Sequence, residues 1–323
     1  MRKKITHLNQ RQSSTATVTV EAAITGFYRR CQAKNLSPHT ISFYKYRLLA
    51  FQRYLDAEQL PKEVGQITSS IIRDFIADQN MRVSSATADD SFVTVRALFT
   101  YLVKDDLVTD NPMKGVDRPK TKQVIISTFT TEQIQAMLGI CGNDFVGIRN
   151  RALILTLIDC GLRVSELCSL QTNDIRWNEQ TMLVTGKGNK ERIVPFGRTT
   201  RSALLTYWER RGDVPATDTF FLTCYGDPIN RQRAHCALFE CGTKAGVTGL
   251  RISPHTFRHT FAVMYLRNGG DVFSLQKMLG HTDLTMTRRY AELSETDVIE
   301  KHRQFSPADA IKSTNQNGRK RMK

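Results

Sequence analysis

Residues 253–262 read Ser-Pro-His-Thr-Phe-Arg-His-Thr-Phe-Ala, and the rest of the chain is best read outward from them. Pro254 suits the first position of a helix, because its missing N–H would have no intrahelical partner there. The spacing predicts a helix over 254–268. Residues three apart on a helix share a face, with Cβ atoms about 5–6 Å apart, so His255 and Arg258 can address one anion together. His259 lies four residues from His255 and is flanked by apolar groups. Taken alone, His-x-x-Arg reads more readily as a structural pair than as a site.

Downstream, Gly280 in Leu279-Gly-His-Thr282 reads as a helix C-cap, and His281 starts the connection to a short helix carrying Thr287-Arg-Arg-Tyr290. A tyrosine near a C-terminus is ordinarily core or interface. Its phenol, with a pKa of about 10, is a poor nucleophile without cationic neighbours. Upstream, Cys160-Gly-Leu-Arg163-Val-Ser-Glu166-Leu puts Arg163 at a helix start, where the dipole and unpaired N–H groups favour an anion. Glu166 can reach back to orient Arg163; the plainer reading is a surface pair worth under about 1 kcal/mol. Between these segments, Gly186-Lys187-Gly188-Asn189-Lys190-Glu191-Arg192 places Lys187 at a hairpin tip with little bulk around it. It is not a P-loop, since GxxxxGK[ST] and a following helix are both missing; an exposed basic turn is the plain alternative.

Composition narrows the class. The chain has 323 residues, 40% hydrophobic and 24% charged, enough for two modest cores. Its apolar runs fall well short of the roughly 20 residues that span a bilayer. Met1-Arg-Lys-Lys4 has no apolar stretch behind it, so neither a secretory signal nor a membrane partner is expected, and a cytoplasmic location is. Seven scattered cysteines without a CxxC pair indicate reduced thiols and no zinc site. The formal net charge of +15 points to a polyanion, with a solvated basic face as the plain alternative. Residues 1–17 and 305–323 carry net +4 each, leaving +7 for residues 18–304.

Residues 1–17 are polar and aperiodic, the pattern of a disordered basic arm. Residues 18–115 carry helical patterns over Val20–Tyr28, Ser37–Leu55, Ile71–Asp78 and Ala88–Val103, with no strand signal. A proline-containing basic stretch from residue 111 describes an extended linker, with the domain boundary at 116–127. Residues 128–304 are mixed. Helical patterns cover Thr130–Leu138, Gly147–Asp159, Val164–Leu170, 200–210, 231–245, 254–268, 272–279, 285–293 and 295–303. Met182–Val184 and Ile193–Pro195 flank the glycine-rich turn as a hairpin. Residues 305–323 read as a disordered basic tail. The expected fold is therefore multidomain and mainly α, with a small antiparallel β-sheet.

Each segment is ambiguous alone, but their order is not. Arg163, Lys187, His255-x-x-Arg258, His281 and Tyr290, in the wording CGLRVSEL, GKGNKERIVP, SPHTFRHTFA and MLGHTDLTMTRRYA, closely resemble the tyrosine recombinase (phage integrase) family, especially its Xer-like two-domain members. The resemblance covers about residues 18–304, weakly in the first part and strongly in the second. It implies a helical, SAM-like core-binding domain and an α+β catalytic domain that close as a clamp around duplex DNA.

The chemistry implied is DNA strand transfer. Tyr290 Oη would attack the scissile phosphorus, with Arg163 and Arg258 as charged forks on the non-bridging oxygens. Lys187 would protonate the departing 5′ oxygen, and His255 would serve as general acid/base for the tyrosine proton. His281 would bind a phosphate oxygen, and Glu166 would support Arg163. No cofactor is implied: the cationic side chains stand where a metal could, and a 3′-phosphotyrosyl link keeps the bond energy without ATP. Arg29, Arg30, Lys34, Lys45 and Arg47 are the expected DNA stripe of the first domain, with Lys190 and Arg192 contributing from the second. The implied partners are double-stranded DNA with paired sites, three further copies of the chain in a tetramer, and in some systems a second recombinase or directionality factor. Ala291–His302 is the expected connector between protomers. Integration or excision of a mobile element and dimer resolution are both open roles. A type IB topoisomerase and a DNA-binding regulator on the same scaffold are the competing readings.

Overall fold

A computed structural model describes residues 18–121, 127–186, 188–212 and 217–281, together with residues 283, 287 and 290. The expected arm 1–17, Lys187, the helix 295–303, most of 285–293 and the tail 305–323 lie outside the described residues. The chain divides into two compact units between Val124 and Ile125.

The first unit is built from α1 (Val20–Ala33), α2 (Pro38–Ala57), α3 (Ser69–Arg82) and α4 (Ser85–Lys104). Each begins at a hydroxyl N-cap, Thr19, Ser37, Thr68 and Ser84, whose oxygen accepts from the N–H three residues on. Each such cap is worth about 1 kcal/mol. The last two helices start before the apolar spacing does, because they open on Ser69-Ser70 and Ser85-Ala-Thr87 and the caps, not hydrophobic periodicity, set the boundary. Phe27, Leu48, Phe51, Ile72, Phe75, Leu98 and Phe99 form the core. Phe51 and Phe75 meet edge-on with centroids 5.0 Å apart, the arrangement that ring quadrupoles favour.

The second unit holds α5 (Thr131–Ile140), α6 (Phe145–Cys160), α7 (Val164–Ser169), β1 (Ile175–Arg176), β2 (Thr181–Thr185), β3 (Glu191–Pro195), α8 (Arg198–Arg211), α9 (Arg231–Lys244), α10 (Pro254–Arg267) and α11 (Val272–Leu279). The apolar α6 lies at the centre, packed against α8, α9 and α10. Leu153, Ile154 and Leu157 are fully buried there. The sheet is antiparallel in the order β1-β2-β3, with Met182 opposite Val194 and Val184 opposite Arg192. Met182, Val184 and Val194 face the core, while Ile193 turns outward. The hairpin is closed by two left-handed residues, Gly188 (φ 75°) and Asn189 (φ 58°), which is why small or locally hydrogen-bonding residues stand there. Strand β1 adds an element that the sequence did not announce, since two residues carry no readable alternation. No described helix is long and apolar enough to cross a membrane.

Candidate active site

The site forms where α6, α10 and α11 end or begin. Arg258 sits on the buried side of α10 and is only 5% exposed. Its Nη1 donates to the carbonyl of Gly161 at 2.6 Å, and its Nη2 to that of Leu279 at 2.6 Å. These carbonyls terminate α6 and α11, where helix dipoles place partial negative charge, so two helix ends hold one buried cation. Gly161 makes this possible. Its φ of 60° is left-handed, and a Cβ there would overlap the Phe261 ring. Burial first, and the nearby Arg163 charge second, bring the Arg258 pKa down to about 10, so it remains a cation at neutral pH.

Glu166 organises two further arginines. It is 3% exposed and accepts from the Arg163 backbone N–H and from Arg163 Nη1, both at 2.8 Å. Arg192 reaches the same carboxylate from β3 with Nη1 and Nη2, at 3.0 and 2.8 Å. Burial pushes the Glu166 pKa up, but the hydrogen bonds from Arg192 and the Arg163 backbone outweigh it and hold the carboxyl below its usual range. Glu166 thus holds both the backbone and the guanidinium of Arg163. Arg192 takes a different place from the one expected. Its side chain is 13% exposed, and its Nε donates to the Met278 carbonyl at 2.7 Å. The guanidinium is spent on joining β3, α7 and α11, and does not face solvent as a DNA contact would.

His281 lies 3.0 Å from Arg258 Nη2 through Nε2, and 3.0 Å from Thr287 Oγ1 through Nδ1. A guanidinium can only donate, so Nε2 accepts and the ring proton sits on Nδ1, facing Thr287. Partial burial, then the charges of Arg258, Arg163 and Arg192, bring the His281 pKa down to about 4. In this arrangement His281 orients Arg258, and its Nε2 has no proton to offer a phosphate.

Tyr290 is 5% exposed and packs with Phe261, Leu266, Leu275 and Leu279 of α10 and α11. Its Oη lies 2.6 Å from Nδ1 of His259, with ring centroids 5.6 Å apart. His255, one helical turn earlier, is exposed and makes no hydrogen bond among the described residues. Burial of part of the ring, followed by Arg258, Arg251 and Arg163, holds it below the ordinary histidine range. The tyrosine proton, expected from the sequence to go to His255, has His259 as its neighbour. The available signal is the four-residue spacing from His255, which by itself names no partner for His259.

Lys190 is exposed at the end of the hairpin turn. In the first unit, Arg29, Lys34 and Lys45 are exposed as expected. Arg30 is instead paired with Asp105 at 2.6 Å and lies 5.1 Å over the Tyr101 ring, and Arg47 is paired with Asp90 at 3.3 Å. These two bases tie α1 and α2 to α4. Arg96 and Lys104, which the sequence reading did not single out, join Arg30 and Lys34 around a cavity of about 480 Å³. Their nearness to Arg30 and Lys34 follows from the packing of α4 against α1, which the sequence does not show.

Comparison with known proteins agrees with this architecture. The profile of the phage integrase family matches residues 127–297, and that of the phage integrase N-terminal SAM-like domain matches residues 24–106. A tyrosine recombinase XerC of Anoxybacillus flavithermus is 32% identical, covering 81% of this chain and 89% of the relative. The XerC of Pelobacter propionicus is also 32% identical, over 85% and 91%. Among solved structures, XerH recombinase in a post-cleavage complex with a palindromic difH substrate superposes with a TM-score of 0.71 at 21% identity, covering 88% of this chain and 85% of that one. A lambda integrase dimer on a COC′ core site gives 0.73 at 18% identity, covering 91% and 83%. With both of its units matched in order, the chain belongs to the phage integrase family of tyrosine recombinases, site-specific enzymes that cut and rejoin DNA.

Proposed function

We propose that the protein exchanges strands between two DNA duplexes, with Tyr290 as nucleophile and Arg163 and Arg258 as the clamp on the scissile phosphate. The observation that carries this reading is that Arg258 and Tyr290 meet at the end of α11, where Arg258 Nη2 bonds the Leu279 carbonyl and the Tyr290 ring packs with Leu279. Three of the five guanidinium N–H groups of Arg258 are used to hold it in place, leaving donors for the non-bridging oxygens. Such preorganised donors stabilise charge as it develops in the transition state. The same field lowers the cost of the Tyr290 phenolate. Lys187 protonates the departing 5′ oxygen. His281 keeps Arg258 in register. The 3′-phosphotyrosyl link then awaits a 5′ hydroxyl of another strand.

Two duplexes present four cleavable strands, so four protomers act together, and residues 291–302 connect neighbours in a head-to-tail ring that closes. Arg29, Lys34, Lys45 and Lys190 supply phosphate contacts, which give affinity without sequence choice. The role is integration or excision of a mobile element, or dimer resolution. The DNA beside the gene separates these: terminal inverted repeats accompany the first, and a dimer-resolution site the second.

A suicide substrate nicked near the crossover tests the chemistry. Wild-type protein should become covalently attached, whereas Tyr290→Phe should bind without attachment. Joining of strands from two different duplexes distinguishes a recombinase from a topoisomerase, which reseals the same strand. Lys187→Ala should recover cleavage on a 5′-bridging phosphorothiolate, because sulfur leaves without a proton. Equal loss on both substrates would remove Lys187 from the leaving-group role.

A further inference from the structure

We infer that His259 holds the Tyr290 phenol in place and accepts its proton during strand cleavage. The inference rests on the proposal above that Tyr290 is the nucleophile. The Nδ1–Oη distance of 2.6 Å lies within direct proton-transfer range. His259 projects from α10, whose neighbouring Phe257, Phe261 and Ala262 are buried, so its backbone is fixed by the core. The same helix presents Arg258 to the phosphate. One rigid element thus sets the spacing between clamp and base. His255 is exposed and hydrogen-bonded to no described residue, so the two histidines of α10 divide the work. The charges of Arg258, Arg251 and Arg163 act on His255 after its partial burial, whereas His259 meets the tyrosine oxygen directly.

The proton balance closes over both steps. As the Oη–P bond forms, the Oη–H bond breaks and its proton passes to Nδ1, making His259 an imidazolium. The bond from phosphorus to the 5′ oxygen breaks, and that oxygen takes a proton from Lys187. In rejoining, a 5′ hydroxyl gives its proton back to Lys187 as it attacks the phosphotyrosyl phosphorus. The P–Oη bond then breaks, and His259 returns its proton to the phenolate.

The test uses the full-length protein with three DNA substrates. On the nicked suicide substrate, His259→Ala should slow covalent attachment by about 100-fold or more. His259→Gln should slow it similarly, since an amide can hold the phenol but cannot take its proton. A 5′-bridging phosphorothiolate should not rescue either variant, whereas it should rescue Lys187→Ala. The third substrate carries a 3′-p-nitrophenyl phosphate, which leaves without the enzyme's tyrosine. Tyr290→Phe and both His259 variants should join this strand to a 5′ hydroxyl, which also shows that the variants are folded. Attachment by His259→Ala at the wild-type rate or faster would overturn the inference, as would loss of p-nitrophenyl joining. His259→Gln attaching at the wild-type rate would overturn the proton transfer. Attachment by Tyr290→Phe would instead sink the nucleophile assignment itself, whatever His259 does.

Discussion

Arg192 grips both carboxylate oxygens of Glu166, at 3.0 and 2.8 Å, across 26 positions of sequence. With its third donor on the Met278 carbonyl, one side chain ties the hairpin to the start of α7 and the end of α11. Arg163 hangs from the same carboxylate. The placement of Arg163 therefore depends on a carboxylate that is itself fixed by an arginine 26 positions away.

Removing that carboxylate should be costly. Glu166→Ala leaves the largely buried Arg192 without its counter-charge, and breaking a buried pair typically costs about 3–5 kcal/mol. Urea unfolding should show a loss of this order, and suicide-substrate trapping should fall with it. Glu166→Gln keeps the shape and part of the hydrogen bonding, so its loss should be smaller in both measurements. Equal behaviour of Glu166→Ala and wild type would mean that Arg163 is placed by something else.

Arg192 and Lys190 are near in sequence but should separate in DNA binding. Each neutralised phosphate steepens log K against log salt by about 0.9. Lys190→Ala should flatten the slope by about that much if the exposed ammonium meets DNA. Arg192→Ala should leave the slope unchanged while lowering the unfolding midpoint. A flattened slope for Arg192→Ala in a fully folded variant would return Arg192 to the DNA surface.

Gly161→Ala should damage both fold and site. A left-handed alanine costs about 1–2 kcal/mol, and the added methyl meets the Phe261 ring. Any shift of the Gly161 carbonyl also moves Arg258. The expected outcome is a lower unfolding midpoint together with strand cleavage reduced beyond what the unfolded fraction explains.

His281 contributes a pH dependence whose sign follows from its depressed pKa. The folded form titrates near about 4 and the unfolded form near about 6.5, so the unfolded chain binds more protons between these values. The stabilisation is present above about 6.5 and is lost as pH falls towards about 4, by at most about 3 kcal/mol. Unfolding at pH 7 and pH 4.5 should therefore show a drop in wild type that is smaller in His281→Gln. Glu166 adds a loss of the same sign at more acidic pH, since its carboxyl is also held below its usual range. An identical drop in wild type and His281→Gln would show that His281 stays neutral in neither state.

Local chemistry made much of this protein legible in its sequence. Proline and glycine mark the beginning of α10 and the end of α11, apolar periodicity marks the helices of both units, and Gly-Asn marks the hairpin, because each acts within a few residues of itself. Arg163, Arg258 and Glu166 could be named for the same reason: short motifs place them on helix turns. The two-residue strand β1 could not be read, since it exists only by pairing with β2. What remained was settled by contacts between residues distant along the chain. Arg192 looked like an exposed base beside Lys190, yet alternation on β3 turns it inward to Glu166. Arg30 and Arg47 looked free for DNA until α4 brought Asp105 and Asp90 against them. His259 has no partner legible in the sequence, and the structure sets the Tyr290 phenol 2.6 Å from its ring nitrogen. A side chain's type and its place on a turn are local properties of the sequence. Its partner is chosen by packing between remote segments, and that partner determines whether a charge is a ligand, a brace or a base.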